Sequence, residues 1–177
     1  MGWAGAEVKA SIAIVVENIL LDASVGQKTR KARLPGKHPF SRERVTNSPE
    51  WGRLPSMPGA LQWVNALSAH YKLHFVTTAP WLLREAVCKN LAPFGITGGQ
   101  VMGLGSGVAM AVRLSGAKGW IDSNADRVTQ AREAGVTWPI WVCHDHLSVE
   151  EDLFGMSVID HPDDALVILG GKIACGY

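Results

Sequence analysis

Short apolar, β-branched runs alternate along this chain with stretches of helical periodicity, and that alternation limits the folds open to it. The runs fall at residues 12–16 (IAIVV), 72–78 (KLHFVTT), 119–122 (GWID), 138–144 (WPIWVCH) and 156–160 (MSVID). Each has the length of a strand and is too short for a buried helix. Between them, Leu61, Val64 and Leu67 recur at helical spacing after Pro58. Leu82, Leu83, Ala86, Val87 and Leu91 do the same after Pro80, with Thr78 as a candidate cap. "ADRVTQAREAG" reads as a helix stopped by Gly135, and "PDDALVIL" as a closing helix. Ser148 and Glu151 fit a capping box. Glycines leave the reading of residues 94–119 open, with "VAMAVRL" a candidate short helix. Strands alternating with helices predict a three-layer α/β sandwich: a mainly parallel sheet covered on both faces.

A chain of 177 residues, 47% of them apolar, is long enough to bury a core and short enough for a single domain over residues 1–177. The net charge of +1 argues against nucleic-acid binding by charge alone. Cys88, Cys143 and Cys175 are scattered and form no CxxC pair, which points to a reducing compartment. The first residues lack the pattern of a signal peptide. The apolar run 12–21 is too short to span a bilayer and is broken by Glu17. A cytoplasmic protein with no membrane association is the expectation.

In a parallel sheet, chemistry gathers beyond the carboxyl ends of the strands. Three of the expected ends carry polar groups: Glu17 and Asn18, Thr77 and Thr78, and Asp122 with Ser123 and Asn124. That convergence is the main functional signal.

The stretches "MPGALQWVNALSAHYKLHFVTTAP" and "GWIDSNADRVTQAREAGV" resemble the second and fourth motifs of the haloacid dehalogenase (HAD) superfamily of phosphohydrolases, and "VIDHPDDALVIL" resembles the last strand and helix of many members. The resemblance covers most of the chain and implies a HAD-like (Rossmannoid) sheet. It also implies that Thr77, or Thr78 in the alternative register, binds phosphate. Asp122 takes the place of the metal-binding acid and Asp126 that of a second acid. Lys118 is the candidate for the family's phosphate-binding lysine.

The first motif departs from the family. Aligning "ENILLD" with the family's "DNTLLD" ending puts Val15 at the nucleophile, Glu17 at the acid/base and Ile19 at a threonine. Sliding by two puts Glu17 at the nucleophile and Ile19 at the acid/base. Neither register supplies two carboxylates; the first keeps Asn18, Leu20, Leu21 and Asp22 in familiar places. Valine has no lone pair with which to attack phosphorus. It also removes one ligand from the Mg2+ that the resemblance implies, a hard ion wanting six oxygens, so weak Mg2+ binding is expected.

Residues 24–56 hold Lys28, Arg30, Lys31, Arg33, Lys37, Arg42, Arg44 and Arg53 against Glu43 and Glu50. The resemblance places this basic segment where cap insertions occur. It would attract a phosphorylated small molecule or an acidic macromolecule, or serve only as a solvated loop. His144 and His146 in "CHDH" invite a metal reading but lack a third ligand at a telling spacing. Trp63, Trp81, Trp120, Trp138 and Trp141 read as packing residues. The leading expectation is a catalytically degenerate HAD-like protein that acts by binding. The rivals are a Mg2+-dependent phosphohydrolase, nucleotidase-like, built on Glu17, Asp122, Asp126, Lys118 and Thr77, and an assembly subunit for a protein partner.

Overall fold

A computed structural model describes residues 9–23, 54–143 and 155–174. Strand β1 (Ser11–Val15) is followed by helix α1 (Ala60–His70) and strand β2 (Lys72–Thr77). Next come α2 (Arg84–Leu91), β3 (Val101–Gly103), α3 (Val108–Ser115) and β4 (Gly119–Asp122). The chain continues with α4 (Ala125–Glu133), β5 (Trp138–Val142), β6 (Ser157–Ile159) and α5 (Asp164–Ala174). The strands form one sheet in the order β3-β2-β1-β4-β5-β6, every neighbouring pair parallel. The α/β sandwich read from the alternation is the architecture observed.

The strand pattern splits the core across the sheet. Ile12, Ile14, Phe75, Ile121 and Ile140 pack with Trp63, Val64 and Leu67 of α1, Val87 and Leu91 of α2, and Ala165 and Leu169 of α5. On the opposite face Ala13, Val15, Val76 and Trp120 meet Val108, Ala111 and Val112 of α3 and Val128 and Ala131 of α4. Successive residues of β1 thus serve opposite faces and all four of Ile12–Val15 are fully buried, as a central parallel strand requires. Gly119 lies beside Ile12 in the β1–β4 pairing, and a Cβ there would sit 3.2 Å from Ile12 Cγ1. A side chain there would require the Ile12 side chain to give way by a few tenths of an ångström.

The order places β1 and β4 side by side although residues 16–118 separate them in sequence. From β1 the chain builds outward through β2 to β3, then returns across the sheet to β4 and builds the other way. That reversal opens a crevice beyond the carboxyl ends of β1 and β4, flanked by β2.

Several local expectations need correction. β3 was not read from the sequence; only three residues long and followed by glycines, it gives no periodicity to detect. β1 stops at Val15 and β5 at Val142, each short of the apolar run that suggested it. Thr78 caps no helix: a 3₁₀ turn over Trp81–Leu83 has Pro80 as its N-cap, and α2 begins only at Arg84. Gly135 does stop its helix, in the left-handed region at φ 98°. Its N–H donates to the carbonyl of Arg132 and that of Val136 to the carbonyl of Ala131, a Schellman pair. Residues 24–53 of the basic segment, His144 and His146, and the Ser148–Glu151 pair lie outside the described residues. Among the described residues no helix is long and apolar enough to cross a membrane.

Candidate active site

β1 delivers no carboxylate at its last position. Val15 is fully buried and packs with Ala13, Val76 and the α3 side chains. Beyond it the chain turns sharply: the Val16 carbonyl accepts from the N–H groups of Leu20 and Leu21, at 2.9 and 3.1 Å. Asn18 sits at φ 61° in this turn, a conformation asparagine tolerates better than most residues. Ile19, Leu20 and Leu21 are buried in the core, so the threonine position of the preferred alignment is an apolar anchor.

Glu17, at 4% exposure, is one of two buried carboxylates among the described residues. Thr77, the last residue of β2, donates its hydroxyl to Glu17 Oε1. The Thr78 N–H donates to Oε2 at 3.0 Å. Thr77 Oγ1 in turn accepts from the Ala79 N–H at 3.0 Å. Thr77 and the Thr78 amide therefore form a cradle of donors at the carboxyl end of β2, and the Glu17 carboxylate lies in it. The Thr78 side chain itself is exposed.

The second buried carboxylate, Asp122, ends β4 at 0% exposure. Its Oδ1 accepts from the Asn124 N–H at 3.0 Å and from Arg127 Nη2 at 2.7 Å. Its Oδ2 accepts from Arg127 Nε at 2.6 Å and from Trp120 Nε1 at 3.4 Å. The guanidinium thus grips both oxygens in a planar fork. Asn124 caps α4, its side-chain oxygen accepting from the Arg127 N–H at 2.9 Å. The cap places Arg127 in the first helical turn, from which its side chain reaches back to the strand end. Burial alone would lower the Arg127 pKa. The hydrogen bond to Asp122 and the charges of Asp122 and Glu17 outweigh it and raise the pKa above its ordinary value. The side chain is fixed as a cation that senses both carboxylates.

The structure brings Glu17, Thr77, Thr78 and Asp122 to the crevice but not Lys118. Lys118 precedes β4; its N–H donates to the Ser11 carbonyl and its own carbonyl accepts from Thr137 and Trp138. It therefore lies at the amino edge of the sheet, roughly 13 Å along the strand from Asp122. It cannot share a phosphate with Thr77, which corrects its assignment as the family's lysine. Asp126 is exposed in the first turn of α4, where a negative charge suits the helix dipole. Reading by motif overlooked Arg127. The available signal was its place three residues after an Asn cap and five after a strand-end acid.

These residues do not fit a magnesium ion. Val15 offers no oxygen, both oxygens of Asp122 are engaged by Arg127, and Asp126 points to solvent rather than forming a pair with Asp122. Among the described residues no group of three His, Cys, Asp or Glu side chains could hold a metal. Cys143 is buried, its N–H bonded to the Ile159 carbonyl at 2.8 Å. Trp63, Trp120 and Trp138 are core residues as expected, whereas Trp81 is 77% exposed just beyond the Thr77–Thr78 cradle.

No family model matches the sequence, and no curated protein matches it in sequence. Solved structures do match in shape. An L-2-haloacid dehalogenase from Xanthobacter autotrophicus, with chloropropionic acid covalently bound, aligns at TM-score 0.64 and 15% identity, covering 93% of this chain and 99% of that one. A haloacid dehalogenase-like hydrolase from Streptococcus pneumoniae aligns at 0.64 and 12%, covering 92% and 98%. Another from Xanthomonas campestris aligns at 0.64 and 10%, covering 96% and 99%. The six parallel strands, the crevice at their reversal and these neighbours together establish that the chain has the haloacid dehalogenase-like fold.

Proposed function

We propose that this protein is a catalytically degenerate member of its fold class that acts by binding rather than by turnover. The observation that carries the reading is Val15, an aliphatic side chain fully buried at the end of β1. A nucleophile there would need a lone pair directed into the crevice, and valine has none. The commitment of Asp122 to Arg127 supports the same reading, because it takes the remaining strand-end acid out of metal chemistry. The ligand class is anionic: a phosphorylated small molecule or an acidic macromolecule, drawn by the basic segment 24–56. Weak or absent Mg2+ binding belongs to the same proposal.

A second reading draws on the neighbours, which are named as hydrolases and dehalogenases. Of the two buried carboxylates, Glu17 is the one with no bonded cation, and it would be the attacking group of an active enzyme. The two readings separate in one experiment. The full chain is assayed against an aryl phosphate and 2-chloropropionate, with and without Mg2+. The binding reading expects no release of phosphate or chloride above buffer. Turnover that disappears in Glu17→Gln would overturn it and establish the enzyme.

A further inference from the structure

The cradle at the end of β2 already holds an anion, and that anion is part of the chain. The Thr77 hydroxyl and the Thr78 N–H both donate to the Glu17 carboxylate, one to each oxygen. The adjacent strand end already holds a cation: the Arg127 guanidinium lies across both oxygens of Asp122. Every carboxylate oxygen of the pair Glu17 and Asp122 therefore has a donor within the protein. We propose that Glu17 and Arg127 are tethered substitutes for a small anion and a cation, and that the native crevice is closed to both.

This inference rests on the binding reading above and adds to it that the ligand does not enter by the strand-end crevice. Its basis is competition. A free anion reaching the Thr77–Thr78 donors must displace a carboxylate whose attachment to the same chain gives it a high local concentration. Displacement would also strip Glu17 of both hydrogen bonds while keeping its charge beside the newcomer, so that Arg127, the cation bonded at the strand ends among the described residues, would have to offset two acids and the ligand. A divalent cation meets the mirror-image obstacle, since it must pry a bidentate guanidinium from Asp122 before gaining a ligand.

The chemistry of the cradle names its ligand once the plug is gone. Two donors spaced for the two oxygens of a carboxylate suit a short monocarboxylate, with inorganic phosphate as the larger alternative. The full chain carrying Glu17→Ala is therefore melted with increasing sodium propionate against sodium chloride at equal ionic strength. The expected result is a saturable rise in Tm, roughly 3–6 °C at ten times the dissociation constant. The native protein and Glu17→Gln, whose amide keeps the cradle filled, should show no such rise. A folded Glu17→Ala protein that ignores both propionate and phosphate would overturn the proposal.

A measurement on the native protein needs no variant to fold. The Thr78 amide signal is followed by NMR during titration with inorganic phosphate, then with Mg2+, each against a salt control. The proposal expects no saturable shift. A saturable shift at Thr78 without turnover would sink the closed crevice and leave the binding reading standing. Turnover would sink the binding reading itself.

Discussion

The crevice keeps two carboxylates out of water by different means. Asp122 is matched by a full positive charge from Arg127, five residues away on the helix that its own strand leads into. Glu17 is held by a hydroxyl and an amide from β2, about sixty residues further along the chain. The first arrangement is local and complete once β4 and α4 form. The second exists only when β1 and β2 have paired, because Val16 must bond to Val76 before Glu17 meets Thr77. One strand end is thus bonded to a full charge, whereas among the described residues the other is bonded to dipoles and meets Arg127 only without a hydrogen bond, and the protein should respond differently when each is disturbed.

The largest effect is expected at the charged end. Arg127→Leu leaves Asp122 buried with no opposing charge and should cost about 3–5 kcal/mol in urea unfolding. Arg127→Lys keeps the charge but loses the two-pronged grip, so it should recover only part of that loss. A leucine variant as stable as the native protein would show that the ion pair adds nothing to stability and that the contrast between the two ends is false. At the dipolar end, Thr77→Val removes the hydroxyl at nearly constant volume. It strands one Glu17 oxygen and the Ala79 N–H, and about 1–3 kcal/mol should be lost. A loss equal to that of Arg127→Leu would mean that dipoles secure a buried acid as well as a cation does.

A smaller change tests how Arg127 is aimed. Asn124→Ala removes the cap of α4 and should cost about 1 kcal/mol by thermal or urea unfolding. If the cap also sets the direction of the Arg127 side chain, combining it with Arg127→Leu should cost less than the sum of the two. Strict additivity would make the cap and the ion pair independent.

How far the sequence could be read follows the same division between local and distant contacts. Asn124 as a cap, Gly135 as a stop and the burial of the strands at 12–16 and 119–122 follow from a few neighbouring residues, and each is visible in the string. The aliphatic residue at the end of β1, Val15, was visible too, because it needs only one side chain. Glu17 in the Thr77–Thr78 cradle was not, since nothing near Glu17 announces a partner two elements away. Lys118 was misplaced for a different reason. It is the first lysine after Lys89 and was chosen because no other lay in that interval, but an extended strand carries its two ends to opposite edges of the sheet. Arg127 went unnoticed because an arginine in the first turn of a helix usually faces solvent; only the depth of Asp122 turns it inward.

The smallest expected effect lies in the first half of β2, away from the two carboxylates. His74 has its pKa lowered, first by burial and then by the charge of Lys72, and its Nε2 is buried without a hydrogen-bond partner. The folded protein therefore prefers the neutral ring more strongly than the unfolded chain does. The stability tied to that preference is present above the unfolded value of about 6.5 and is lost as pH falls through the lower folded value, below which both states carry the proton. Measured against His74→Leu, the native protein should lose stability across that window while the variant stays level. Below it the two curves should run parallel, so that any further fall belongs to groups other than His74. Curves that are parallel throughout would show that His74 titrates as freely in the folded chain as in the unfolded one.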